Sequence, residues 1–128
     1  MLKWRTLLIG VLLVATLGTA VFLACACSPS RAGNRPTLVY FRAPNCPYCK
    51  QMTPVVDEIR QEYGRQLHVV YAEVDQQDGK SLASQHGIIG YPTILLLDSE
   101  GERAGLLRGV VPRSSLAKAI DDLLQEQQ

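Results

Sequence analysis

Thr37-Leu38-Val39-Tyr40-Phe41 is followed closely by Asn45-Cys46-Pro47-Tyr48-Cys49-Lys50, and these two segments organise the chain. The first five residues form a near-continuous apolar run, the pattern of a central strand covered on both faces. Beyond them Met52, Val55, Val56 and Ile59 recur at helical spacing. Proline at position 47 suits the first residue of that helix, where its missing N–H would have no partner anyway. The two cysteines therefore fall at the first turn of a helix that follows a strand. Backbone N–H groups are unpaired at that end, and the helix dipole favours negative charge there. A thiol so placed ionises more readily, and the thiolate is the reactive form. Two cysteines three residues apart can also close a disulfide across the turn. The pattern points to thiol–disulfide exchange, with metal binding and an inert structural disulfide as competing readings.

The helix is expected over Pro47–Tyr63, kinked at Pro54 and stopped at Gly64. Leu67–Val74 reads as a second strand, joined to the first by a right-handed parallel crossover. Asp75–Lys80 reads as a polar turn, and Ser81–His86 as a short helix ended by Gly87. Thr93–Leu97 follows as a third strand after Tyr91 and Pro92. Asp98-Ser99-Glu100-Gly101 is a hairpin turn into a fourth strand near Arg103–Arg108. Gly109 and Pro112 separate this strand from a last helix that buries Leu116, Ile120, Leu123 and Leu124.

Upstream, residues 1–27 read as a signal or membrane anchor. Lys3 and Arg5 precede a run from Leu7 to Ala24 that carries no charge. About 18–20 apolar residues suffice to span a bilayer core. Three readings stay open: an uncleaved anchor, a lipoprotein signal with Cys25 or Cys27 modified, or cleavage after Ala24-Cys25-Ala26. Each places the domain outside the cytoplasm. Because Arg31 and Arg35 follow the run, charge asymmetry adds little. Residues 28–36, rich in Pro, Ser and Gly, form a linker, and residues 37–128 form the folded domain.

At 128 residues the chain accommodates one such domain. Its formal net charge is +1, and from residue 32 onward 10 basic residues face 12 acidic ones. No basic patch with interleaved aromatics is present, which excludes nucleic acid as a partner class. Four cysteines in two local pairs are too few for the disulfide framework of a small secreted protein. Metal binding has thin support, since a structural zinc site needs about four ligands. Only His68, at a strand start, and His86, at a helix end, could join Cys46 and Cys49. An iron–sulfur cluster shared across a dimer is a further metal reading.

The order βαβ, short helix, ββα, with Cys-x-x-Cys at the first helix, resembles the thioredoxin family over about Thr37–Leu124. The resemblance is carried by Leu38-Val39-x-Phe41, by Cys49-Lys50-x-Met52-x-Pro54 with Asp57-Glu58-Ile59, and by Val74-Asp75-Gln76. It extends through Gly87-Ile88-x-Gly90-Tyr91-Pro92-Thr93, Gly101-Glu102 and Gly109. The implied fold is α/β: a trimmed thioredoxin-like, four-stranded mixed sheet flanked by helices. The resemblance implies that Cys46 attacks and Cys49 resolves the mixed disulfide. It implies a cis-Pro92 that sets the Tyr91 backbone beside the sulfurs to pair with an extended substrate segment. Pro47, Tyr48, Tyr40 and Gly109 become neighbours of the active site. No dissociable cofactor is implied, because the dithiol itself carries two electrons. Expected partners are protein thiol or disulfide substrates and a membrane thiol conduit or other redox partner.

Departures from the family pattern bear on redox direction. Pro47-Tyr48 between the cysteines is the glutaredoxin dipeptide, which keeps glutathione-dependent exchange as an alternative. A non-enzymatic adaptor with an inert disulfide is another. Thioredoxins bury an acidic residue at the position of Tyr40 and carry lysine at that of Tyr71. Glu73 shares a strand face with Tyr71 and could replace the acid only by pointing toward the site; otherwise it faces solvent or an edge. The expectation is an extracytoplasmic reductant.

Overall fold

The computed structural model describes residues 34–128, which form one compact unit. Residues 1–27 and most of the linker lie outside the described residues, and so do the readings placed on them. The elements run β1 (Thr37–Arg42), α1 (Pro47–Tyr63), β2 (His68–Glu73), α2 (Gln77–Gln85), β3 (Thr93–Leu97), β4 (Arg103–Arg108) and α3 (Arg113–Glu126). The sheet order is β2-β1-β3-β4. β1 runs parallel to β2 and antiparallel to β3, and β3 runs antiparallel to β4.

Alternation along the central strands divides the core. Leu38 and Tyr40 of β1, with Ile94 and Leu96 of β3, meet Met52, Val56 and Ile59 of α1 and Leu116, Ile120 and Leu123 of α3. Val39, Phe41 and Leu95 face the other way, toward Ala83 of α2 and Ile88. Both faces of β1 are thus covered, which is why its sequence does not alternate. Each fully buried aliphatic side chain in these layers contributes roughly 1.5–3 kcal/mol through apolar burial.

Two expectations need correction. β2 is shorter than Leu67–Val74, because the Leu67 N–H turns back to the Tyr63 carbonyl. The span Asp75–Lys80 is not all turn: α2 begins at Gln77 and ends at Gln85. The polar composition hid a helix start whose inward residue is Gly79, chosen for closeness rather than apolarity. Its helix crosses the end of β2 so tightly that a Cβ at position 79 would sit 2.1 Å from the Glu73 carbonyl oxygen. Gly64 does stop α1, but with φ of −60° it is not a left-handed cap. A Cβ there would instead meet the Arg60 carbonyl oxygen at 2.5 Å. Gly87 is the left-handed terminator, with φ of +64°. Its N–H bonds the Ser84 carbonyl while that of Ile88 bonds the Ala83 carbonyl, the paired pattern of a Schellman stop.

Candidate functional site

β1 leaves the sheet at Arg42 and delivers the chain to the head of α1 through Ala43, Pro44 and Asn45. Asn45 adopts φ of +59°, a left-handed conformation that asparagine tolerates better than most residues. Cys46 is the N-cap, and its sulfur accepts the Cys49 N–H at 3.1 Å. The sulfur thus takes the role usually played by a capping oxygen. Pro47 occupies the first helical position.

Cys46 and Cys49 form a disulfide with Cα atoms 5.2 Å apart. The pair is asymmetric: Cys46 is half-buried, whereas Cys49 is only 3% exposed. Once the bond opens, the capping N–H and the helix terminus favour a Cys46 thiolate. Solvent and partner sulfurs reach Cys46 first.

Sheet register brings the distant residues to the same end. Phe41 pairs with Thr93, and Thr93 with Arg108. Pro92 and Gly109 therefore flank the strand ends from which β1 departs toward Cys46. The Tyr91–Pro92 bond is cis, and the Pro92 carbonyl accepts the Gly109 N–H at 2.8 Å. Gly109 has φ of +78°, which a residue with a side chain adopts only under strain. Thr93, buried, donates its hydroxyl to the Gly90 carbonyl at 2.7 Å and braces the loop from within. Around this end Tyr48, Ile89, Tyr91 and Val110 are the large apolar side chains left exposed among the described residues, with Ile89 at 87%.

Beneath the cysteines lies a tyrosine-centred cluster. Tyr40 is fully buried and donates its hydroxyl to the Cys49 carbonyl at 2.8 Å. Thr53 donates to the same carbonyl, also at 2.8 Å. Burial raises the Tyr40 pKa, with the Thr53 hydrogen bond opposing, so the phenol stays neutral at physiological pH. Tyr71 stands edge-on to Tyr40, ring centroids 5.8 Å apart, and donates to Asp57. The guanidinium groups of Arg42 and Arg60 lie 5.3 and 5.8 Å from the Tyr71 ring centre. Burial and then the bond to Asp57 push the Tyr71 pKa up to about 12.

Glu73 is paired with Arg42 at the open edge of the sheet, so its carboxylate is engaged there. Arg42 and Asp57 were not singled out in the sequence for this cluster. The register Tyr40↔Tyr71 and Arg42↔Glu73 brings Arg42 to the cluster, and no local sequence signal marks it. His68 is exposed and the His86 carbonyl accepts from Arg103. Among the described residues no three His, Cys, Asp or Glu side chains gather as a metal site.

A mixed four-stranded sheet, three helices and a Cys-x-x-Cys disulfide at the N-cap of α1 define a thioredoxin-fold dithiol/disulfide protein. Comparison with known sequences agrees. The thioredoxin family model matches residues 30–122. Thioredoxin 1 of Synechococcus elongatus is 42% identical over 86 residues, covering 67% of this chain and 78% of that protein. Thioredoxin of Pyropia yezoensis is 39% identical over 88 residues, covering 69% and 79%. A chloroplastic M-type thioredoxin of Spinacia oleracea is 37% identical over 89 residues, covering 70% and 48%. The chain belongs to the thioredoxin family and is a thiol–disulfide oxidoreductase.

Proposed function

We propose that the protein is held at a membrane by its N-terminal segment and reduces disulfides of partner proteins outside the cytoplasm. The observation that carries the exchange chemistry is the unequal exposure of the two sulfurs at the head of α1. Cys46 thiolate attacks a substrate disulfide, forms a mixed disulfide and releases one substrate thiolate. Cys49 then attacks the Cys46 sulfur, closes the intramolecular disulfide and expels the second substrate sulfur. Two electrons pass to the substrate, and the two protons of the dithiol end on its thiols. No dissociable cofactor takes part.

The exposed apolar side chains Tyr48, Ile89, Tyr91 and Val110 suit a protein surface rather than a small polar thiol, which favours protein substrates over glutathione. The backbone of Tyr91, just before the cis peptide bond to Pro92, is the edge to which a substrate segment would add. The extracytoplasmic location rests on the charge-free run from Leu7 to Ala24. A reductant on that side must be recharged, so a membrane thiol conduit is the partner that supplies electrons.

Two measurements test this reading. Cys49→Ser should accumulate mixed disulfides with envelope or secreted proteins through Cys46; recovery of glutathione adducts alone would refute protein-directed exchange. The reduction potential of Cys46–Cys49 should fall at or below about −240 mV, near the thioredoxin value. A value above about −180 mV would refute the reductant role and indicate a disulfide donor.

A further inference from the structure

Tyr40 occupies the place directly beneath the resolving cysteine, and its contacts are specific. Its hydroxyl reaches 2.8 Å to the backbone carbonyl of Cys49, from a ring with no exposed surface. The Thr53 hydroxyl reaches the same carbonyl, and the two hydroxyl oxygens are 3.3 Å apart. This happens in the turn before Pro54, where the helix loses regular support because proline offers no N–H to the Lys50 carbonyl. Side-chain hydroxyls therefore brace the turn that carries Cys49.

In the oxidised protein the Cys46–Cys49 bond also holds this turn. When that bond opens, the Tyr40 hydroxyl remains as a tie from β1 to the Cys49 carbonyl, and the Thr53 hydroxyl, within α1, bonds the same carbonyl. Charged groups near Tyr40 are engaged elsewhere: Glu73 pairs with Arg42, and Asp57 accepts from Tyr71. Ile94, Leu116 and Ile120, from the other elements packed into this core layer, are apolar.

We propose that Tyr40, with Thr53, is a positioning residue for Cys49: it keeps the open dithiol pre-set for ring closure through a neutral bond to the Cys49 carbonyl. Its effect falls on the effective concentration of the Cys49 sulfur at Cys46, not on the attack of Cys46. During closure the Cys49 proton ends on the departing substrate sulfur, and Tyr40 keeps its own.

The test uses the full chain in a Cys25→Ala/Cys27→Ala background, fully reduced, mixed with a stoichiometric amount of the aromatic disulfide dithiobis-nitrobenzoate. Attack by Cys46 releases one coloured thiolate; closure by Cys49 releases the second, so stopped-flow absorbance separates the steps. Tyr40→Phe should slow the second phase about fivefold, the size of one neutral hydrogen bond, and leave the first within twofold. The equilibrium with glutathione should shift toward the dithiol by a similar factor. Thr53→Val should act in the same direction, Thr53→Ser should restore wild-type closure, and the Tyr40→Phe/Thr53→Val pair should be non-additive. Equal changes in both phases, or no change in the second beyond twofold, would overturn the proposal. If Tyr40→Phe fails to fold, the Thr53→Val and Thr53→Ser pair decides by the same criterion. Wild-type protein that releases no thiolate in the first phase would refute the exchange chemistry itself, a separate outcome.

Discussion

Replacing Gly79 with alanine should unfold this domain more easily, although alanine is the better helix former. An added Cβ would lie 2.1 Å from the Glu73 carbonyl oxygen and 2.6 Å from its carbon. Favourable C···O contacts begin near about 3.3 Å, so the α2–β2 junction must part by more than about 1 Å. Both sides of the clash are backbone, so no rotamer change relieves it. Overpacking of this kind costs about 3 kcal/mol, the upper end of the usual range. The helix-propensity gain of alanine over glycine offsets about 1 kcal/mol, leaving a net loss of about 2 kcal/mol. For a domain of this size that lowers Tm by roughly 10 °C.

Gly105 supplies the control. It lies in β4, where a Cβ would meet only Leu96 side-chain atoms at 3.5 Å and beyond. Gly105→Ala should be neutral or stabilising by up to about 1 kcal/mol, because glycine weakens strands. Urea unfolding of the two oxidised variants, followed by circular dichroism, measures both effects. A Gly79→Ala protein as stable as the parent would refute the close approach of α2 to β2.

Two further outcomes follow from the site. Ile89→Asp should raise KM for a protein disulfide roughly tenfold, from loss of an apolar contact, while turnover of dithiobis-nitrobenzoate stays within twofold; equal losses with both substrates would contradict a docking role for that side chain. Stability should be insensitive to tyrosine ionisation up to about pH 10 and then fall as pH rises toward 12. Tyr71 ionises from 10.0 when unfolded but only at about 12 when folded, so alkali stabilises the unfolded chain first. Tyr71→Phe should make that alkaline decline shallower in urea titrations, and an unchanged slope would show that Tyr71 is not shielded.

The strand–cysteine–helix unit at Thr37–Tyr63, the positions of β3 and β4, and the buried face of α3 are legible in the residues alone. These are local matters: an apolar period, a proline suited to a first helical turn and glycines at breaks each act within a few residues. Cys46 and Cys49 were legible for the same reason, since a helix start and a short spacing define their chemistry. Gly79 was not, because its requirement comes from the carbonyl of Glu73 on another element. Nor were the bonds of Tyr40 to the Cys49 carbonyl, of Tyr71 to Asp57 and of Glu73 to Arg42. Each depends on which face of β1 or β2 a side chain leaves and what the facing helix brings opposite it. Strand register and helix docking decide those meetings, and both are set only when separate segments bury their apolar faces against one another.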